Sequence, residues 1–127
     1  MSSGYDLDKR VKCFYITTKR QDGFIVNVKK YIHPEISLLH AKFQNLKSDQ
    51  IIANKQAQNE TTAYFIMNRR VLRNGWYIEF ERRNFGICTY QILGVDPFDD
   101  TSSYLKISVK EINSALPYDS VEYTEVK

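Results

Sequence analysis

Apolar and polar side chains alternate with a period of two through residues 62–112, in four short runs. In the clearest run, Trp76, Ile78 and Phe80 point to one side and three polar or amphipathic residues point to the other. A period of two with one apolar face is typical of a half-buried antiparallel strand. Turn signals such as Asn74-Gly75 separate the runs. This half of the chain therefore predicts an antiparallel sheet.

The apolar positions of these runs define a predicted core. If each run is a strand with one buried face, the buried side chains are every second residue. The predicted core residues are Trp76, Ile78, Phe80, Tyr90, Ile92, Leu105, Ile107 and Val109.

The first half of the chain predicts three further strands. They cover residues 11–17, 24–31 and 38–46, separated by a polar turn at 19–23 and by a break at His33-Pro34, since proline lacks the backbone donor of a central strand. The fold class we predict is mainly β. It is a small antiparallel β-barrel of six or seven strands over residues 11–112, with one long loop or short helix near residues 47–61.

The two ends of the chain lack the alternating pattern of the predicted barrel. Residues 1–10 are small and polar and predict a flexible N-terminus. Residues 113–127 form a C-terminal tail that loses alternation, is interrupted by Pro117 and is acidic. Val121, Tyr123 and Val126 in this tail still suit a short strand added to a neighbour.

Composition bounds the class of protein. The 127 residues suit one domain with one core, and the nine Tyr and seven Phe favour strands over disorder. The formal net charge of +3 is lower than that of a dedicated DNA-binding protein. Cys13 and Cys88 lie far apart without metal-ligand spacing, so we expect two reduced thiols and no zinc. No run approaches membrane-spanning length, and we expect no membrane contact.

Catalytic and metal-binding patterns find little support. The two histidines, His33 and His40, stand in a turn and on an outward strand position. The sequence has no nucleophile elbow and no phosphate-binding glycine loop. Asp96, Asp99 and Asp100 surround Pro97 as ordinary turn residues. We therefore expect no enzyme activity, no catalytic residues, no bound metal and no cofactor.

One cluster of cations and aromatic side chains suggests an interface. Arginines flank both sides of the run at 76–81, and aromatic residues lie among them. Proteins that bind single-stranded nucleic acid mix cations and aromatic rings in this way, and arginine is also enriched at protein interfaces. The alternative is that these arginines are solvated or pair with Glu79, Glu81 and Asp99. The candidate patch consists of Arg69, Arg70, Arg73, Arg82, Arg83, Tyr77 and Phe85.

The order of the strand motifs resembles the small head-closure (stopper, or head–tail joining) proteins of long-tailed phages. That family has a strand ending in arginines, an aromatic strand after a turn, a Tyr-x-Ile strand ending in Asp, and an apolar strand closing on Glu. The segment Ala41–Gln44 also fits, and the resemblance covers about residues 9–112. The matching segments are FIMNRR (65–70), WYIEF (76–80), YQILGVD (90–96) and LKISVKE (105–111).

The resemblance implies a structural virion protein of head completion. Such a protein forms a ring below the portal–adaptor complex, closes the DNA exit channel and docks the tail. The expected partners are further copies in a cyclic ring, the adaptor protein, a tail terminator or tail-completion protein, and the packaged double-stranded DNA. The expected location is the head–tail interface of the virion, after assembly in the cytoplasm of the bacterial host. Within the same structural class, a tail-tube or tail-completion component is a further reading.

The polar segment at 48–59 suits a channel-gating loop in such a ring. If the segment forms a short helix rather than a loop, we expect Ser48 to cap it and Ile51 and Ile52 to give it a small apolar contact. The charges of Asp49 and Lys55 nearly cancel. A strongly basic loop would instead hold the DNA and resist its ejection. The alternative function, from a different class, is a small β-barrel module that binds single-stranded nucleic acid. The candidate gating residues are Ser48, Asp49, Gln50, Asn54, Lys55, Gln56, Gln58 and Asn59.

Overall fold

A computed structural model describes residues 9–32, 39–46, 60–68, 71–82, 85–97, 103–112 and 116–124. Within these residues the chain forms one sheet of eight strands, which confirms the mainly β fold class. The strands are β1 (Lys9–Gln21), β2 (Phe24–Ile32), β3 (Leu39–Asn45), β4 (Ala63–Asn68), β5 (Tyr77–Arg82), β6 (Gly86–Pro97), β7 (Tyr104–Ile112) and β8 (Ser120–Thr124).

Six of these strands close on themselves in a barrel-like arrangement, which we call the closed sheet. Its order is β3-β4-β7-β6-β5-β1, and β1 pairs again with β3 to complete the circuit. Every pairing in the circuit is antiparallel, as predicted. The closure depends on β1, because its first residues pair with β3 on one edge and residues 11–14 pair with β5 on the other. Closing a sheet removes the exposed strand edges that promote aggregation.

The core lies inside the closed sheet, and its register matches the predicted alternation. Trp76 is the exception among the predicted core residues: it is half-buried at the margin and stacks on Tyr15 with ring centroids 4.9 Å apart. Rings of Phe43, Phe65 and Tyr90 meet inside the sheet at tilted or edge-to-face angles. The other seven predicted core residues are buried, namely Ile78, Phe80, Tyr90, Ile92, Leu105, Ile107 and Val109.

The remaining strand segments extend the sheet beyond the closed circuit, and we call them the arm: residues 15–21 of β1, all of β2, and β8. The arm is anchored on the core, because Val28 and Ile32 of β2 are buried. A two-residue turn at Asp22 and Gly23, with φ of 52° and 83°, joins β1 to β2. Positive φ at both turn residues matches the twist of a tight hairpin. This hairpin is longer than expected, because β1 continues to Gln21 through residues assigned from sequence to a polar turn.

β8 lies parallel to β2, with Val28 opposite Ser120 and Ile32 opposite Thr124. The sequence predicted an antiparallel sheet and suggested that this part of the tail adds to a neighbour. In the structure it pairs within its own chain. Parallel strands cannot be joined by a tight turn, and here the strands from β3 to β7 lie between β2 and β8 in the chain.

β6 is also longer than the sequence indicates. A turn was expected at residues 96–100, but β6 runs to Pro97, which pairs with Leu105 of β7. A register shift between Ile92 and Gly94 adds one residue to β6 opposite β7. Such a bulge bends a strand and increases its twist, so β6 can follow the curvature of the closed sheet.

Candidate functional site

The predicted gating segment leaves and rejoins the closed sheet at one end. Its candidate residues, 48–59, lie outside the described residues. On the near side, Leu46 N donates to Thr62 O over 3.1 Å, and Thr62 N donates to Val109 O over 2.8 Å. The Thr62 hydroxyl accepts a hydrogen bond from Glu111 N at 3.0 Å. Both feet of the segment are therefore fixed on neighbouring strands, β3 and β4, and tied to β7.

Ion pairs moderate the charge at this end of the closed sheet. Lys110 Nζ lies 3.0 Å from Glu60 Oε2, and Arg82 Nη1 lies 3.6 Å from Glu111 Oε1. Both pairs are partly exposed, so each contributes little to stability. Their effect is electrostatic: within the described residues, the cations Lys110 and Arg82 beside the feet of the segment are each paired with an acid.

The predicted patch of arginine and aromatic residues divides into two places. Arg69, Arg70 and Arg83 lie outside the described residues. Arg73 is exposed before β5 begins, whereas Arg82 is the last residue of β5. A strand rises about 3.3 Å per residue, so the five steps of β5 alone separate the two ends by roughly 17 Å. Arg73 and Arg82 therefore lie toward opposite ends of β5, and a single surface that includes all five arginines stays a prediction.

The aromatic members of the patch follow the same division. The Arg82 guanidinium lies 4.7 Å from the centroid of the Phe85 ring and 5.2 Å from that of Phe43. Tyr77 instead stacks on Phe14 with ring centroids 5.2 Å apart, at the far end of β5. Arg82 and Phe85 form a small cation–aromatic contact near the gating segment, and Tyr77 belongs to another cluster.

That other cluster surrounds a buried lysine that the sequence analysis did not single out. Lys29 is 8% exposed, and its Nζ lies 2.9 Å from Glu79 Oε2. Its Nζ also lies 4.4 Å from the ring centroid of Phe14 and 5.1 Å from that of Tyr118. The Tyr31 hydroxyl donates to Glu79 Oε1 over 3.1 Å. The cluster joins the arm, the closed sheet and the segment leading to β8.

The electrostatics of this cluster favour a charged Lys29. Burial alone lowers the pKa of Lys29, but the hydrogen bonds with Tyr31 and Glu79 and the negative charge of Glu79 outweigh it, and the pKa is raised above 10.5. Burial also raises the pKa of Tyr31. The sequence offers little signal for this lysine, because the run around it also contains the polar residues Asn27 and Lys30. Its partner, Glu79, is too distant in the chain for alternation to identify.

Tyr90 is a second buried polar group, within the closed sheet. It is 1% exposed, and its hydroxyl has no hydrogen-bond partner among the described residues. Burial raises the pKa of Tyr90 to about 12, although the nearby Arg82 guanidinium acts in the opposite direction. Tyr90 was predicted as a core residue, and the ring fulfils that role by packing against Phe65 at 5.4 Å.

Exposed apolar side chains concentrate on the arm. Phe24 and Ile25, beside the hairpin turn, are 71% and 72% exposed, and Val121 of β8 and Tyr118 before it are also exposed. A second exposed pair, Phe85 and Ile87, lies on the β5–β6 hairpin. Contiguous exposed apolar surface is a feature of interaction sites. No signal in the alternation distinguishes these residues from buried ones.

Neither a metal centre nor a membrane-crossing helix is found in the described part of the chain. No group of three His, Cys, Asp or Glu side chains there is close enough to hold a metal ion. No helix among those residues is long and apolar enough to cross a membrane.

Comparison with known proteins gives a similarity of fold. No protein-family model and no curated protein matches the chain. The solution structure of protein SF1141 from Shigella flexneri 2a is similar, with a TM-score of 0.63 over 84% of this chain and 94% of that one. The two sequences are 18% identical. The similarity therefore shows a shared fold.

Proposed function

We propose that this protein is a head-closure protein of a long-tailed phage. In this proposal it assembles as a ring below the portal–adaptor complex, closes the DNA exit channel and docks the tail. The order of strand motifs supports the family. The observation that carries the proposal is the position of the gating segment: both of its feet, Leu46 and Thr62, lie at one end of the closed sheet.

This position suits a gate for a physical reason. Packaged DNA pushes outward, so the channel must be closed by many subunits together. A cyclic ring multiplies one segment by the number of copies and brings identical segments to a common axis. The closed sheet supplies a stable base, because the feet are hydrogen-bonded to neighbouring strands and Thr61 between them is buried.

The charge distribution suits transient contact with DNA. The candidate segment contains one acid and one base, Asp49 and Lys55, in residues 48–59. The cations beside its feet, Lys110 and Arg82, have acidic neighbours. Affinity for a nucleic-acid backbone grows with the number of unpaired cations. A nearly neutral gate can block DNA before tail attachment and release it during ejection.

The alternative function has weaker support. Arg82 between the rings of Phe43 and Phe85 resembles the platforms of single-stranded nucleic-acid-binding proteins. However, Glu111 lies 3.6 Å from this arginine, and Arg73 and Tyr77 belong to the other end of β5. A platform for several bases needs cations and aromatic rings along one groove.

The direct test is to silence the gene in a phage that encodes the protein. We expect filled heads that lose their DNA, together with complete but unattached tails, and rescue by the wild-type gene supplied in trans. The matched control for rescue is the same gene with a stop codon at Tyr15, also supplied in trans, which should not restore the particles. DNA-filled heads without any tails would indicate a tail-tube or tail-completion component, and normal infectious particles would contradict the proposal.

A binding assay separates the alternative. The purified protein is titrated with labelled single-stranded DNA at low and moderate salt. We expect little binding at either salt concentration. Tight binding that falls steeply with salt, and that is lost in Arg82→Ala with Phe85→Ala, would favour the nucleic-acid-binding module.

A further inference from the structure

The arm has two strand edges that no described strand covers. Residues 15–21 of β1 pair with β2 on one edge, but on the other edge β5 ends its pairing at Phe14. β8 pairs with β2 on one edge, and no described strand lies on its opposite edge. Such edges expose backbone donors and acceptors that can pair with another chain.

The hairpin turn determines which backbone groups of β1 face its uncovered edge. In a two-residue hairpin, the residues flanking the turn form a hydrogen-bonded pair, here Gln21 and Phe24. Backbone groups then alternate along the strand. The N–H and C=O groups of Ile16, Thr18 and Arg20 therefore point away from β2, toward the uncovered edge.

The two edges carry opposite charge. Residues 15–21 contain two bases, Lys19 and Arg20, and no acid, which gives a formal charge of +2. Residues 119–124 contain two acids, Asp119 and Glu122, and no base, which gives −2. Like charges on facing strands oppose pairing. Lys19 and Glu122 already contact each other within one copy, so Arg20 and Asp119 carry the remaining opposite charges of the two edges. Pairing of β1 with β8 is therefore favoured over pairing of two β1 edges or of two β8 edges.

The strand directions suit the same pairing. β8 is parallel to β2, and β2 is antiparallel to β1, so β8 runs antiparallel to β1 in each copy. A second copy placed alongside in the same orientation offers its β1 antiparallel to the first copy's β8. The contact is heterologous: each copy offers its β8 edge to one neighbour and its β1 edge to the other. Repetition of such a contact closes into a ring when the rotation permits.

Side chains already show that these edge sequences are compatible on one face. Within one copy, the Glu122 carboxylate contacts Lys19 and lies 3.8 Å from Lys30, across β2. On the other face, Val121 is exposed and has the same orientation as Ile16 of β1. Together with the exposed Ile25, this face is an apolar surface that a second copy of the arm can cover.

We propose that β8 of one copy pairs, antiparallel, with residues 15–21 of the next copy, so that adjacent arms form a continuous sheet between subunits. The ring itself rests on the function proposed above, whereas the pairing is a property of the arm and is testable without a phage.

Disulfide trapping tests this contact. In a Cys88→Ser background, Val121→Cys is combined in turn with Ile16→Cys, Thr18→Cys or Arg20→Cys, which all lie on one face of the arm. Within a copy, β2 separates these positions by two strand spacings, about 9–10 Å. A disulfide requires Cα atoms within about 7 Å. Any bond formed on mild oxidation is therefore between copies.

We expect at least one double variant to give a covalent ladder that extends beyond a dimer on non-reducing gels. Each variant with only one introduced cysteine, and Val121→Cys with Thr17→Cys on the opposite face, should remain monomeric on such gels, since the native Cys13 is buried. Thr18→Pro is then added to a double variant that forms the ladder and that retains Thr18. The ladder should become shorter, because proline removes a backbone donor at the uncovered edge. The matched control, Thr18→Ala, should leave the ladder unchanged.

Two results would overturn the inference. One is dimer formation by Val121→Cys alone at the level of the double variants, which indicates a two-fold β8–β8 contact. The other is the absence of a ladder from all three double variants when their melting temperatures match the background protein. Loss of DNA on silencing the gene, together with absence of the ladder, would leave the proposed function standing and reject only this contact.

Discussion

The closed sheet and the arm share β1 but differ in the burial of their apolar side chains and in the pairing of their strand edges. Inside the closed sheet, Phe65, Ile78 and Ile107 are fully buried, and each strand has a neighbour on both sides. On the arm, Phe24 and Ile25 are more than two-thirds exposed, and two strand edges lack a described neighbour. The closed sheet therefore completes itself within one chain, whereas the arm is suited to completion by another.

The sequence of β1 contains the origin of this difference. Its first part has buried Val11 and Cys13 on the inner face, and its last part continues with Thr17, Lys19 and Gln21 in the same positions. One strand thus changes from a core element to a solvent-exposed one without a break. We expect global stability to depend on the first part and contacts between subunits on the second.

The largest effect is expected inside the closed sheet. Ile78 is fully buried between its strand partners Cys13 and Tyr90. Ile78→Ala should lower the free energy of unfolding by about 2–5 kcal/mol, because it removes apolar contacts and leaves a cavity. The matched control is Ile87→Ala, at a position 68% exposed, with an expected change within about 0.5 kcal/mol. Denaturant titration measures both, and equal losses would contradict the distinction.

The second largest effect on the free energy of unfolding is expected at the ion pair between Lys29 of the arm and Glu79 of the closed sheet. Glu79→Gln removes the carboxylate that pairs with the buried Lys29, and should lower the free energy of unfolding by about 1.5–3 kcal/mol. The comparison variant is Glu122→Gln, which disrupts an exposed pair within the arm and should have a smaller effect. If Glu122→Gln proves the more costly of the two, the arm contributes more to global stability than this account allows.

The ion pair of Lys29 also makes the free energy of unfolding depend on pH. The pKa of Lys29 is raised in the folded protein above 10.5. Its stabilising contribution is therefore fully present below pH 10.5 and is lost as pH rises through the folded value. Tyr90 acts in the same direction: its pKa rises from 10.0 to about 12, so the free energy of unfolding should fall between those pH values.

Tyr90→Phe separates the two contributions. At neutral pH it should be nearly neutral, because the buried hydroxyl has no hydrogen-bond partner among the described residues. Above pH 10 it should reduce the decline in the free energy of unfolding, whereas Lys29→Met should remove a different part of it. Denaturant titrations at neutral pH and at several alkaline pH values measure this, and an unchanged alkaline slope in Tyr90→Phe would contradict it.

The smallest effect on stability is expected in the gating segment. Ala53→Pro removes a backbone donor and fixes the local chain, but the hydrogen bonds of Leu46 and Thr62 lie outside the change. The free energy of unfolding should stay within about 0.5 kcal/mol of the wild type. In particles, however, the fraction of heads that retain DNA should fall, and Ala53→Ser is the matched control. Normal DNA retention by a folded, incorporated Ala53→Pro protein would show that this segment is not the gate.

The strands of the closed sheet were predictable because alternation is a local property. Ile78, Ile92 and Ile107 each lie on the apolar face of an alternating run, and all three are buried. Circuit closure was predicted in outline, but its mechanism was not: β1 pairs with β3 at one end and with β5 farther along. Long-range pairing of this kind leaves no mark in the sequence of a single strand.

The arm was the least predictable region for the same physical reason. β8 is short and polar, and its placement depends on a parallel neighbour nearly a hundred residues away in the chain. The candidate patch as a whole stays a prediction, but Arg73 and Arg82 lie toward the two ends of β5, a separation that their proximity in sequence does not reveal. The contact between Lys29 and Glu79 was not predicted, since alternation does not reveal which polar side chains of two distant strands lie side by side.

The most direct test of the account is a cryo-electron microscopy reconstruction of the head–tail joint in a phage that carries this protein. We expect a ring of copies below the portal–adaptor complex, with the closed sheets outside, residues 48–59 facing the channel, and β8 of each copy beside β1 of the next. A joint without density for this protein in otherwise complete particles would contradict the proposed function.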